Sequence, residues 1–207
     1  MPVAIPSSAS SRPRLVVATL NAAKGEELAR LLDGVPFEVV TLAALRPDTV
    51  PPDETGASYA ENALLKARAA AAVTGHLTLA DDSGLEVDAL AGGPGIHSAR
   101  YGGPGLSDAE RTRRLLGALE GVESGRRTAR FRCVIALVEP GGKHQVAEGV
   151  VEGMIAYAPR GTGGFGYDPV FVYPPLGRTF GELSEVEKAK VSHRGRAIAA
   201  ARRLLGG

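Results

Sequence analysis

Acidic and basic side chains in this 207-residue chain recur in groupings suited to phosphate and metal chemistry. Asp81-Asp82-Ser83-Gly84 follows a short apolar run, 77–80, of buried-strand type. Two neighbouring carboxylates there could hold Mg²⁺ or take a proton from water. The alternative is an Asp-Ser-Gly turn whose side chains bond their own backbone. Strand alternation would turn only one of the two acids squarely towards a given site, unless a turn bends the chain. Glu54 stands in a Pro-rich loop, 46–54, where an acid is either a ligand or a helix-end residue. On the helix expected over 58–73, Asn62 and Lys66 are four apart and share a face, as a site pair or a solvated one.

Two helix starts carry cations where acids belong. Asn21 caps a helix in which Lys24 precedes Glu26 and Glu27, and Ser192 caps one that opens with His193 and Arg194. A cation beside free N–H groups is unfavourable by some tenths of a kcal/mol unless an anion sits there. A bound phosphate resolves both cases; long side chains bending into solvent also would. The helix opened by Ser107, Asp108 and Glu110 follows the usual rule with a capping box.

Gly161-Thr-Gly163-Gly-Phe-Gly166 matches the dinucleotide fingerprint in letters only. Tyr167-Asp168-Pro169 follows it, and the residue before a proline disfavours helix. The loop suits close backbone approach to a ligand, with Phe165 and Tyr167 available to stack on a flat ring. A tight turn with core aromatics fits the same spacing.

The elements that must position these groups read as follows. Strands are expected at 15–19, 37–41, 77–80 and 85–87, and an antiparallel meander at 131–138, 145–151 and 152–158. A short strand is expected at 169–172, and helices over 21–34, 58–73, 107–119, 184–190 and from 192 onward. The order implies an α/β protein with a mixed sheet. Residues 1–13, rich in Ser, Ala and Pro, read as a loose extension before one domain over 14–207. Lys+Arg 24 against Asp+Glu 23 gives a net charge of +1, with no basic stripe for nucleic acid and no polybasic block for a membrane surface. One cysteine, Cys133, excludes an internal disulfide and a cysteine-based zinc site. Gly 27 and Pro 14 together make 41 residues, so much of the chain is shaped loop.

In order along the chain, ATLNAAKGEE (18–27), ETGASYAENALLKA (54–67), ADDSGLEVDA (80–89), GGPGIHSARY (92–101), GTGGFGYDPVF (161–171) and EKAKVSHRG (187–195) resemble the inosine triphosphate pyrophosphatase family. The likeness spans nearly everything from Arg14 onward. It implies an elongated mixed sheet flanked by helices, with two lobes and the active-site cleft between them, usually in a homodimer. The implied activity is Mg²⁺-dependent cleavage of ITP, dITP and XTP to the monophosphate and pyrophosphate, in the cytoplasm.

By the same resemblance, Thr19, Leu20, Asn21, Ala22, Ala23 and Lys24 form the first phosphate-binding segment. Glu54 and Asp82 would hold Mg²⁺, and Asp82 would also serve as base for the attacking water, with Asp81 assisting. Ser83 would contact substrate and Lys66 would point at the phosphates. Phe165, Gly166, Tyr167 and Asp168 would read the base, Phe165 by stacking and Asp168 at the ring edge. Lys188, His193 and Arg194 would complete base and phosphate recognition. Leu20 stands where the family's first motif commonly has glycine, which bears on the phosphate contacts of that segment. A pyrophosphatase for other modified nucleotides, or a nucleotide-binding module without catalysis, are the rival readings; the acids at Glu54, Asp81 and Asp82 exceed what binding a polyanion needs.

Overall fold

The computed structural model describes residues 12–19 and 21–206. Leu20 and most of the expected N-terminal extension lie outside the described residues. Seven strands form one mixed sheet: β1 (Arg14–Val17), β2 (Glu38–Thr41), β3 (Leu77–Val87), β4 (Thr128–Val138), β5 (His144–Ile155), β6 (Phe171–Tyr173) and β7 (Arg178–Thr179), in the order β2-β1-β3-β4-β5-β6-β7. β1 runs parallel to both β2 and β3, and every later pairing is antiparallel. The helices are α1 (Ala22–Leu31), α2 (Leu42–Leu45), α3 (Tyr59–Thr74), α4 (Asp108–Ala118), α5 (Glu185–Val191) and α6 (His193–Leu204).

Strand alternation sorts the core. Leu79, Cys133, Ile135 and Leu137 point to one face, where α1 and α6 cover them with Leu28, Leu32, Ala197 and Ile198. Farther along the same face, Leu85, Val87 and Phe131 meet Leu115 and Leu119 of α4 and the ring pair Phe171 and Phe180. Ala80, Val134 and Ala136 point the other way, under the Ala63, Ala67 and Ala70 stripe of α3. Alanine on that stripe lets the helix lie close to the sheet. The long strands β3 to β5 therefore carry two apolar clusters end to end on one face, and the polar groups fall between them.

One expectation fails here in an informative way. Residues 81–84 are no turn. β3 runs unbroken through them, paired with β4 from Thr78↔Val138 to Val87↔Ala129. Continuous pairing satisfies buried backbone groups that a turn would leave open, and that outweighs the local turn preference of Asp, Ser and Gly. Gly84 is needed for space, since a Cβ there would stand 2.2 Å from the Gly95 carbonyl oxygen. For the same pairing reason the expected break near Val151 is absent, and β5 runs straight through as one strand of a hairpin with β4. The helix over 21–34 stops at Leu31, and residues 168–170 form a 3₁₀ turn before β6.

β1 ends early, with the Ala18 N–H bonding the Leu79 carbonyl at 2.7 Å. Beyond that point, among the described residues, no strand pairs with this edge of β3 over Asp81 to Ser83. A 3₁₀ segment, Gly95–Arg100, closes the edge again, with Ser98 Oγ accepting from the Leu85 N–H at 2.8 Å. The gap lies at the carboxyl end of β1, where the chain leads off to β2 on one side and β3 lies on the other. That is where open α/β sheets bind ligands.

Candidate active site

Adjacent on β3, Asp81 and Asp82 face opposite sides of the sheet and meet different cations. On the α1/α6 face, Asp81 Oδ2 lies 3.3 Å from Lys24 Nζ and 3.4 Å from Arg194 Nη2. Arg194 is fully buried, and it also reaches Glu27 at 2.7 Å and the Ser83 hydroxyl at 3.0 Å. On the α3 face, Asp82 accepts from Asn62 Nδ2 at 3.2 Å and from Lys66 Nζ at 3.3 Å. Lys66 donates to Glu54 at 2.7 Å as well. Asn62 and Lys66 thus form a site pair rather than a solvated one.

The two misplaced cations of the sequence are answered from within the protein. Asn21 Oδ1 caps the Lys24 N–H at 3.0 Å, and the Lys24 side chain crosses to Asp81. Ser192 caps α6, and Arg194 folds inward to Asp81 and Glu27. Neither side chain bends into solvent, and the anion between the two helix starts is Asp81. Thr19 Oγ1 accepts from the Asn21 N–H at 3.2 Å, which shapes the entry to α1; Ala22 and Ala23 are exposed in its first turn.

Environment drives the two carboxylates apart. Burial alone would push Asp81 up, but Lys24 and Arg194 outweigh it and hold the carboxyl well below the usual range. Asp82 is shifted up, by burial first and by the neighbouring Glu54 charge, against the opposing pull of Lys66. Lys66 is itself shifted up: burial works against its charge, and Asp81, Asp82 and Glu54 prevail. Paired carboxyls with divergent proton affinity mark an acid–base site.

A ring-sized cavity of about 110 Å³ lies beside this cluster, lined by Phe165, Gly166, Tyr167, Asp168, Lys188, His193 and Arg194 with Ser83, Gly84 and Phe131. Phe165 has Lys188 Nζ 4.9 Å and the Arg194 guanidinium 5.5 Å from its ring centre. His193 stacks on Phe131 at 4.6 Å. Burial holds the His193 imidazole well below its usual pKa, helped by the Arg194 and Lys188 charges. Its Nδ1 and Arg194 Nε are buried with no hydrogen-bond partner among the described residues.

Two expected roles take a different form. Tyr167 is buried and donates its hydroxyl to the Ser98 carbonyl at 2.9 Å, so its ring anchors the loop and Phe165 is the ring free to stack. Asp168 Oδ2 accepts from Lys188 at 2.5 Å and from the Phe165 N–H at 2.9 Å, so that oxygen shapes the loop. No helix follows the glycines, as the Pro169 argument predicts. Sequence reasoning missed Glu27, Ser98 and Arg100, whose guanidinium lies 3.8 Å from Glu54. Each acts through a partner far along the chain, and only the cation at position 24 hinted that an acid would stand nearby.

A second cavity, about 250 Å³, is lined by Thr19, Asn21, Lys24, Glu54, Lys66 and Asp81 among others. Asn21, Lys24 and Ala99 border both cavities, so the two are neighbours across the edge of β3 at Asp81 to Ser83. Among the described residues no three His, Cys, Asp or Glu side chains gather into a ready metal cage. Glu54 and Asp82 nevertheless reach a single ammonium, Lys66 Nζ, so their oxygens converge on one small volume. Two hard carboxylates beside an open cavity fit Mg²⁺, which commonly takes its other ligands from phosphate and water.

Fold and site together define a class: an α/β protein whose cleft has a ring-sized cavity at one end and a cation-lined cavity at the other, with two acids of divergent proton affinity beside them. The chain belongs to the Ham1 family, whose model matches residues 15–204. It is 51% identical over 193 residues to a dITP/XTP pyrophosphatase of Geobacter sulfurreducens, covering 93% of this chain and 96% of that protein. It is 52% identical over 191 residues to a protein of the same description from Methylococcus capsulatus, covering 91% and 94%. Among solved structures, a HAM1 protein from Coxiella burnetii superposes with a TM-score of 0.85 at 41% identity, covering 94% of this chain and 98% of that one. A nucleoside-triphosphatase / dITP/XTP pyrophosphatase from Mycobacterium abscessus gives 0.73 at 46% identity, covering 91% and 98%.

Proposed function

We propose that this chain hydrolyses the deaminated-purine nucleoside triphosphates ITP, dITP and XTP to monophosphate and pyrophosphate, and so cleanses the nucleotide pool. The observation that carries this reading is the adjacency of the ring cavity and the cation cavity, with Lys24 and Asn21 bordering both. One molecule with a flat base and a polyphosphate tail fits end to end. The names of the relatives point to the same substrates.

In this reading Phe165 stacks on the base, and Lys24 and Arg194 neutralise the phosphates nearest the sugar. Asp82 takes a proton from the water that attacks the α-phosphorus. The bond to the bridging oxygen breaks, and pyrophosphate leaves along the cation cavity beside Lys66. Glu54 and Asp82 would hold Mg²⁺, which supplies charge neutralisation on phosphate oxygens and a more acidic water. Lys66 then stabilises charge that builds up as the bond breaks. A homodimer working in the cytoplasm completes the reading and rests on the family resemblance. No described helix is long and apolar enough to cross a membrane.

The test is purified protein with Mg²⁺ and each nucleoside triphosphate in turn, assayed separately for pyrophosphate and orthophosphate. Pyrophosphate from ITP and XTP, well ahead of ATP and GTP, is expected. Orthophosphate as first product, or equal use of all purines, sinks the assignment.

A further inference from the structure

The loop that lines the ring cavity is gripped from behind by α4. Gly166 donates its N–H to Asp108 Oδ2 at 2.7 Å, and its carbonyl accepts from Thr112 Oγ1 at 3.4 Å. Both residues lie on α4, one turn apart, 58 and 54 positions from the glycine. Asp108 and Thr112 border a different cavity from the ring pocket, on the far side of the loop. The capping box of α4 is made by Ser107 and Glu110, so Asp108 is not needed to cap its own helix.

These two bonds fix two successive peptide planes. In a trans peptide the N–H and the C=O point in opposite directions. With the Gly166 N–H drawn to α4, the Phe165 carbonyl of the same peptide points away from α4, where it accepts from the Asp168 N–H at 3.3 Å and closes the turn. With the Gly166 carbonyl drawn to α4, the Tyr167 N–H points to the ring-cavity side. The loop thereby offers a backbone donor, the Tyr167 N–H, beside the ring of Phe165. A 6-oxo purine shows a donor at N1 and an acceptor at O6, whereas adenine shows an acceptor at N1 and a donor at N6. A donor pairs with the O6 acceptor of the first and opposes the N6 donor of the second.

We infer that Asp108 and Thr112 are positioning residues for base selection: by holding the N–H and the carbonyl of Gly166 they aim the Tyr167 N–H at the base edge, where it donates to the O6 of a 6-oxo purine and opposes a 6-amino group. This rests on the proposed nucleotide pyrophosphatase reading. The Tyr167 hydroxyl bond to Ser98 and the Asp168 bond to the Phe165 N–H fix the loop's other sides, and α4 supplies the remaining direction. Asp108 is more than half exposed, so its substitution perturbs the loop with little effect on the core.

The test compares Asp108→Ala, Asp108→Asn and Thr112→Val with the unaltered protein. Rates on ITP and ATP, calorimetric binding of IMP and of pyrophosphate, and melting temperature are measured. Loss of one orienting hydrogen bond is expected to raise KM for ITP about tenfold with kcat within about twofold, and to narrow the ITP-over-ATP preference. Pyrophosphate binding and melting temperature should stay near the unaltered values in Asp108→Ala. Asp108→Asn keeps an acceptor oxygen and should restore IMP binding and selectivity. Folded Asp108→Ala with unchanged IMP affinity and selectivity overturns the inference, as does Asp108→Asn behaving like Asp108→Ala. Those failures differ from failure of the underlying reading, in which the unaltered protein itself shows no ITP preference.

Discussion

Asp81 and Asp82 are neighbours in sequence, yet their side chains leave β3 on opposite faces and take different ion-pair partners. Asp81 is bound to Lys24 and Arg194 on one face, and Asp82 to Lys66 and Asn62 on the other. The held-down proton affinity of the first suits a permanent counter-charge; the raised affinity of the second suits a base. Asp82→Asn should therefore cut kcat by about 10²–10⁴, the usual contribution of a general base, while largely sparing nucleotide affinity. Asp81→Asn should instead lower stability and nucleotide affinity together. Turnover traces and calorimetric titrations of both variants decide it, and an active Asp82→Asn removes that residue from the base role.

Arg194 is the hub of the Asp81 side. Its fully buried guanidinium serves two buried carboxylates, Glu27 and Asp81. Arg194→Met leaves both without that partner, and breaking a buried pair in this way costs about 3–5 kcal/mol. Adding Glu27→Gln to Arg194→Met should recover part of the loss, because the carboxylate left without its ion pair is then uncharged, whereas Asp81 keeps Lys24. Urea unfolding of the two single variants and the double variant measures the coupling. Strictly additive losses would show that the two side chains act independently.

How α6 delivers His193 and Arg194 depends on a single glycine of β5. A Cβ on Gly149 would lie 2.2 Å from the His193 carbonyl oxygen and 2.3 Å from the Ala197 nitrogen, both backbone atoms that cannot swing aside. Gly149→Ala must push the start of α6 off the sheet, at about 1–3 kcal/mol for such overpacking. Because the displaced turn carries both pocket residues, KM for ITP should rise along with the loss of stability. Gly141→Ala, in the β4–β5 turn with open space around it, is the control and should change stability by no more than about 0.5 kcal/mol. Equal effects from the two substitutions would contradict this account.

Much of this architecture is legible in the sequence because it is local. Ser58, Ser107 and Ser184 each accept from the backbone N–H three residues on, as their spacing predicts. The cations at Lys24 and Arg194 signal an anion before any fold is known. What is not legible is whatever long-range pairing decides. Residues 81–84 carry turn chemistry and become strand because ten residues of β4 pair alongside β3. Arg194 meets Glu27 across 167 positions, and Gly166 meets Asp108 across 58, with no local pattern to announce either. The identity of the counter-anion follows the same rule. The helix starts at Lys24 and Arg194 need a negative charge nearby, and only the folded sheet shows that Asp81 supplies it.

The buried His193 makes stability depend on pH in a range where few other groups titrate. Its folded pKa lies well below 6.5, by burial and by the Arg194 and Lys188 charges, with Lys24 adding to them and Asp81 opposing. The unfolded chain therefore binds the proton first as pH falls. Stability from this group is fully present above about pH 6.5 and declines below it, by up to about 1.4 kcal/mol per pH unit. Asp82 and Asp168, shifted upward, act with the opposite sign as pH falls, because their folded forms take up protons before the unfolded chain does. The difference between the unaltered protein and His193→Phe removes their contribution. The phenyl ring keeps the stack on Phe131 and cannot charge. Unfolding free energies measured from pH 7 to pH 5 should thus fall more steeply for the unaltered protein than for His193→Phe. Parallel curves would show that the proton taken up on unfolding belongs to another group.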